Sequence, residues 1–193
     1  MKLPRTFYRE RDALVGAREL IGKGLFTSID GVRTAGIITE TEAYLGVHDR
    51  ASHASGGRRT ARNEVMYAAG GVAYVYLCYG IHHLFNVVVM EKDEPQAVLI
   101  RAIHPLDGKG TMLARRGSKT LTTGGPGTLT QALGIRTDHN GEDLTGQRIW
   151  LEDIGVKVTK KDLIVGPRVG VDYAGEDALL PYRFRIAPSQ LLR

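Results

Sequence analysis

The alternation of apolar and polar positions divides the chain into one amphipathic helix followed mainly by strands. Ala13, Leu14, Ala17, Leu20 and Ile21 recur at helical spacing before Gly22, which predicts a helix over residues 9–21 on the outside of the fold. Residues 24–29 form a short apolar run, Asp30-Gly31 is a hairpin signal, and residues 32–44 read as the returning strand. Residues 45–62 form a loop rich in Gly, Ser, His and Arg, with a short helix expected over 61–68. The segment 72–89 reads as two strands joined by a tight turn near Tyr79-Gly80, and 97–103 is a further apolar strand. Downstream, 106–127 is glycine-rich and basic, and Thr128 is placed to cap a helix running to about Leu133. Strands are expected near 147–152, 167–172 and 182–187. These elements predict a single α+β domain, a strongly curved and mostly antiparallel sheet with helices packed around it.

Several positions in the strands do not suit a core. Read as a strand, Ile38, Glu40, Glu42 and Tyr44 share one face. Two carboxylates and an aromatic ring there suit a catalytic wall, although an edge strand with a solvated acidic face has the same pattern. Arg101 lies in the middle of an apolar strand. A buried arginine must be paired, so a carboxylate on a neighbouring strand is expected beside it, either Glu42 or Glu40. Tyr79 falls at a hairpin tip, where a ring cannot be well buried. Asn86 interrupts an apolar strand, and a buried amide needs partners, a structural role being the commoner case. In the loop, a glycine pair and Arg58, Arg59 and Arg62 surround Thr60. Such a stretch lets backbone amides and guanidinium groups approach an anion, or is simply a solvated basic loop.

Charge sharpens this picture. Lys and Arg total 26 against 21 Asp and Glu, a net charge of +5. The excess favours a polyanionic partner such as nucleic acid, although a basic surface also serves solubility. The one cysteine, Cys78, excludes an internal disulfide and fits a reducing compartment. The opening Met-Lys-Leu-Pro-Arg-Thr has no apolar signal core, and no apolar run approaches the ~20 residues of a membrane span. His48, Asp49, His53, His82 and His83 match no strong ligand spacing, so no metal and no cofactor are expected and a metallohydrolase is disfavoured. A non-catalytic module that stacks bases on tyrosines fits the basic loop, but gives no reason for Glu42 opposite Arg101.

Six pieces in order carry a resemblance: Glu40-Thr-Glu-Ala-Tyr-Leu-Gly46, His53, Gly56-Gly-Arg-Arg-Thr-Ala-Arg-Asn63, Tyr74-Val-Tyr-Leu-Cys-Tyr-Gly80, Asn86, and Leu99 to Ala102. From about residue 7 to residue 188 the chain resembles the alkyladenine (3-methyladenine) DNA glycosylases of the mammalian type, without the long N-terminal extension of the animal members. The resemblance implies one glycosylase domain over residues 1–193. It implies an enzyme that flips alkylated or deaminated purines out of double-stranded DNA and hydrolyses the glycosidic bond. Carried over by motif, Glu42 is the general base, Arg101 and the backbone at Val169 hold its water, and Tyr44, His53 and Tyr76 sandwich the flipped base. Asn86 guards against the exocyclic amine of guanine. Tyr79 fills the vacated stack, flanked by Ile81 and His82, and Arg58 and Thr60 contact phosphates. Ile81, His82 and His83 stand where the mammalian pattern has Met, Tyr and Phe. Glu40 is read as structural. With no lysine in the pocket motifs, no Schiff-base lyase step is expected. The enzyme is expected to work as a monomer in the cytoplasm, at the nucleoid of a prokaryote or in the nucleus of a eukaryote.

Overall fold

A computed structural model describes residues 1–191. The chain opens with a short helix α1 (Arg5–Arg9) and then α2 (Ala13–Leu20), where one helix over 9–21 is predicted. The break is local. Asp12 is extended and its carboxylate accepts the Val15 N–H at 2.8 Å, so a fresh helix starts at Ala13. The predicted hairpin follows as β1 (Gly24–Ile29) and β2 (Val32–Tyr44), closed by Asp30 and Gly31, both at positive φ. That conformation matches the twist of the strands and is why Asp-Gly works there.

The remaining strands are β3 (Ala73–Cys78), β4 (His82–Val89), β5 (Gln96–Asp107), β6 (Ile149–Glu152), β7 (Ile164–Gly166) and β8 (Arg183–Arg185). They form an eight-stranded antiparallel sheet in the order β3-β4-β5-β2-β1-β6, with β8 pairing both β2 and β7. The long β2 is the spine. One edge pairs with β5, while β1 takes its first half and β8 pairs with Glu40, Thr41 and Glu42.

Two further helices, α3 (Lys109–Arg116) and α4 (Pro126–Leu133), lie after β5. The first was not expected in the basic stretch 106–127. Thr128 does not cap α4. Gly125 is its N-cap and the Thr128 hydroxyl donates to the Gly125 carbonyl at 2.7 Å. The helix expected over 61–68 is a 3-10 turn, Glu64–Tyr67. The strand expected over 167–172 is instead a loop after β7, with Gly170 at positive φ, followed by 3-10 turns over Asp172–Leu179.

Alternation along the strands decides what faces what. Ala43, Val75, Phe85, Val87, Val98 and Ile100 enter the main core, together with Leu20 of α2 and Leu129 and Leu133 of α4. Burying each of the larger side chains contributes roughly 1.5–3 kcal/mol. Tyr74, Val88 and Ala97 point to the other face and meet Ala54, Met66 and Tyr67 from the loop side. Ile38 does not share the face of Glu42. It belongs to the main core with Ala43, because the β2–β5 register shifts between Ile38 and Glu40. Among the described residues no helix is long and apolar enough to cross a membrane.

Candidate active site

Glu42 is fully buried, and three groups meet its carboxylate. The Val169 N–H donates to Oε1 at 2.8 Å, the Tyr44 hydroxyl donates to Oε2 at 2.9 Å, and Arg101 Nε lies 3.4 Å from Oε1. Arg101 also donates to Glu40 Oε1 at 3.1 Å, so both carboxylates expected as alternatives are its partners. The β2–β5 ladder pairs Thr41 with Ile100 and Glu40 with Ala102, which leaves Arg101 as the extra residue of a bulge. Bulges re-aim side chains. Burial pushes the Glu42 carboxyl above its ordinary pKa, while Arg101, the Val169 N–H and the Tyr44 hydroxyl pull it back in part. Its three contacts all line a cavity of about 600 Å³, so the carboxylate sits one layer behind the wall.

The rest of that wall is aromatic. His53 and Tyr76 meet edge to face with centroids 4.7 Å apart, and Tyr74 lies 5.3 Å from Tyr76. His53 Nδ1 is 2.8 Å from the Tyr74 hydroxyl. Burial, helped by Arg62 and Arg58, lowers the His53 pKa, and burial pushes that of Tyr74 up to about 12. Tyr44 and Tyr76 are held protonated by burial as well. The pocket therefore presents uncharged rings at neutral pH. Asn86 is 4% exposed, lines the cavity, and gives one amide hydrogen to the Tyr74 carbonyl at 3.0 Å.

The structure brings Glu42, Arg101, Val169, Tyr44, His53, Tyr76 and Asn86 together, with Tyr79 and His82 at the cavity rim. Ile81 is exposed and faces a neighbouring groove instead. Arg58 and Thr60 lie outside the cavity on the exposed loop. The Thr60 N–H and hydroxyl both donate to Asn63 Oδ1, at 2.7 and 3.1 Å, so this residue is turned into its own loop. Asn63 is buried and its amide nitrogen donates to the carbonyls of His53 and Arg58. Of the histidines and aspartate once considered as ligands, Asp49 is held by Arg168 and His53 contacts Tyr74.

Sequence reasoning missed Asn63, Asp49, Arg168 and Tyr74 as organisers of the site. For Asn63 and Tyr74 a signal was present, since both fall inside the motifs quoted above. For Asp49 and Arg168 there was none beyond their charge.

The family model for methylpurine-DNA glycosylase matches residues 6–190. A Chlamydia felis protein provisionally named 3-methyladenine DNA glycosylase is 46% identical over 186 residues, covering 94% of each chain. A protein of the same provisional name from Desulfitobacterium hafniense is 43% identical over 199 residues, covering 98% of this chain and 97% of its own. A third, from Clostridium acetobutylicum, is 42% identical over 196 residues, covering 96% and 94%. With a family match over nearly its whole length and relatives 42–46% identical over 94–98% of the chain, this chain belongs to the methylpurine-DNA glycosylase family.

Proposed function

We propose that residues 1–193 act as one monomeric 3-methyladenine DNA glycosylase that turns damaged purines, alkylated or deaminated, out of double-stranded DNA and hydrolyses their glycosidic bond. Family membership and the names of the relatives support the broad statement, a DNA-repair glycosylase acting on DNA. The observation that carries the finer one is Glu42, a fully buried carboxylate held between Arg101, Tyr44 and the Val169 N–H behind the cavity wall.

Cleavage of an N-glycosidic bond passes through an oxocarbenium-like state. A carboxylate next to the sugar takes a proton from the attacking water and also stabilises the developing positive charge. The base has to leave the stack first, because the bond is out of reach there. In the cavity it lies against Tyr44, His53 and Tyr76. Uncharged aromatic faces favour the cationic alkylated purines, and the lowered pKa of His53 keeps that ring from repelling them. Asn86 meets the purine edge, Tyr79 fills the vacated stack with Ile81 and His82 beside it, and Arg58 faces the phosphates, while Thr60, with both donors on Asn63, shapes the loop that presents it. Among the described residues lining the cavity there is no lysine, which supports hydrolysis without a Schiff-base step.

Glu42→Gln tests this reading. The variant keeps the side-chain shape and removes the base. Single-turnover base release from an alkylated duplex should fall by at least about 100-fold, while DNA affinity persists or rises. Wild-type excision by Glu42→Gln would move the general base elsewhere, with Glu40 next in line. Binding without base release by the wild-type protein, on any alkylated purine, would leave only a binding module.

A further inference from the structure

We propose that the buried ion pair between Asp49 and Arg168 is the positioning device that holds the Val169 N–H and the Tyr44 ring against Glu42, so that both residues act on base release without touching the substrate. The inference rests on the reading of Glu42 as general base.

The pair is built as a junction. The Arg168 side chain is wholly buried and its fork meets the Asp49 carboxylate twice, Nη1 to Oδ2 at 2.5 Å and Nη2 to Oδ1 at 2.8 Å. Nη1 also donates to the Ala43 carbonyl at 2.9 Å and Nη2 to that of Asp177 at 3.2 Å. Asp49 in turn accepts the Leu45 N–H at 3.0 Å and the Ala51 N–H at 2.9 Å. One ion pair thus ties the end of β2, the 45–51 loop, the 168–170 loop and the turns after it. Its guanidinium lies over the Tyr44 ring, 4.9 Å from the centroid. The next residue, Val169, is 47% exposed, lines the cavity, and sends its N–H to Glu42.

A buried ion pair is a weak source of stability, since desolvation offsets most of its attraction, whereas its geometry is sharply defined. Here the geometry is spent on one loop. Residues 168–170 make no strand pairing, and Arg168 is the anchor next to the amide that Glu42 needs. Neither Asp49 nor Arg168 lines the cavity.

The experiment uses two variants, because truncating one partner alone strands the other charge. Arg168→Lys keeps the charge and loses the fork. The double variant Asp49→Leu/Arg168→Met removes both charges at similar volume. Thermal unfolding, DNA affinity and single-turnover base release across pH are read on one lesion duplex, with Glu42→Gln in parallel. Both variants should bind DNA as wild type does. Base release should fall by about 100-fold in the double variant, the scale of a 1 Å misplacement, and by less in Arg168→Lys.

The acid limb of the pH profile should also move to higher pH, because the Val169 N–H and the Tyr44 hydroxyl, which both favour ionised Glu42, are no longer held against it. The other groups around Glu42 are Glu40 on its own strand, Arg101 on β5 and Tyr173 from the turns after the loop, all unchanged, and Arg168, whose charge also favours ionised Glu42 and is kept in Arg168→Lys, so the limb is read on that variant. Arg183 on β8 reaches Glu42 only through Glu40. A merely structural role lowers the melting temperature and leaves that limb in place.

Wild-type rates with an unmoved limb overturn the proposal. If Glu42→Gln is inactive while these variants stay active, only this proposal fails; if Glu42→Gln is active, the general-base reading fails and takes this one with it. Should neither variant fold, amide exchange in the wild-type protein decides. The Val169 N–H must be protected together with those of Leu45 and Ala51, and a freely exchanging Val169 overturns the proposal.

Discussion

The backbone N–H of Val169 donates to Glu42 Oε1 at 2.8 Å across 127 residues of chain. Such a contact fixes a carboxylate sharply, because a backbone donor cannot rotate away as a side chain can. It lowers the pKa of Glu42, yet burial outweighs it and the net shift is upward.

The direction of that shift sets two pH dependences. A general base must be ionised, so base release should fall on the acid side through a midpoint above the ordinary glutamate value of about 4.3. Stability runs the other way. With its pKa raised in the folded state, Glu42 contributes stability that is complete below the unfolded value and lost as pH rises through the folded one. Wherever it is ionised, the buried side chain is therefore a burden that Gln does not carry. Glu42→Gln should melt at or above wild type near neutrality, with the advantage shrinking in acid. Arg101 keeps Glu40 as partner in the variant. Melting curves of the two proteins across pH check this, and a variant that loses stability only near neutrality contradicts it.

Asn86 sits opposite Tyr74 in the β3–β4 ladder and donates to its carbonyl, so it has a structural bond as well as a face on the cavity. Asn86→Ser should lose about 1 kcal/mol of stability, the worth of one hydrogen bond. It should also raise excision of guanine lesions relative to adenine lesions by about tenfold, the low end of what one group in a pocket discriminates. Rates on a 7-methylguanine and a hypoxanthine duplex give the ratio. A lower melting point with an unchanged ratio would show that Asn86 serves the sheet alone.

What the sequence reveals follows the range of the forces involved. The β1–β2 hairpin was legible residue by residue, because strand alternation and an Asp-Gly turn are local signals. The meeting of Arg101 with Glu40 and Glu42 was legible because a buried charge must find a partner, and β2 held the candidates. The face of Ile38 was not, since a bulge shifts the alternation without marking the sequence. The Asp49–Arg168 pair was hidden for a different reason. Its partners come from two loops 119 residues apart, and nothing local shows that Arg168 turns inward rather than continuing an apolar strand. Proposed roles for Tyr79 and Asn86 come from the family resemblance alone, because the geometry leaves them open.

Two arginines on the basic loop should behave differently toward DNA. Arg59 is taken by Glu64, through bonds of 2.9 and 2.6 Å, and by Asp93 at 2.7 Å. Arg58 is exposed and joins no ion pair among the described residues. Phosphate contacts release counterions, so affinity falls steeply with salt, and losing one contact reduces the log–log slope by about 1. Arg58→Ala should show that reduction and Arg59→Ala should not. Fluorescence anisotropy over a salt series measures both, and equal slopes for the two variants would refute the distinction.

Tyr79 is 89% exposed and held at φ +51, beside Gly80 at φ +72. A bulky side chain in the left-handed region carries strain of roughly 1–2 kcal/mol, and Asn or Gly is the residue such a hairpin turn prefers. The ring itself is almost wholly exposed and so recovers little of that strain by packing. The proposed role of the ring outside the protein would account for it, entering the gap left by a flipped base and offsetting unstacking of a few kcal/mol. Tyr79→Asn should then separate the two properties. The variant should melt slightly higher than wild type, since the turn relaxes. It should also lose base release on a paired lesion far more than on a bulged one, where the stack is already open. The chemical step, read on the bulged substrate, should stay near wild type because Glu42 and its partners are untouched. Equal losses on paired and bulged lesions would place Tyr79 in the chemistry instead. A lower melting point would mean that the exposed ring stabilises the hairpin after all.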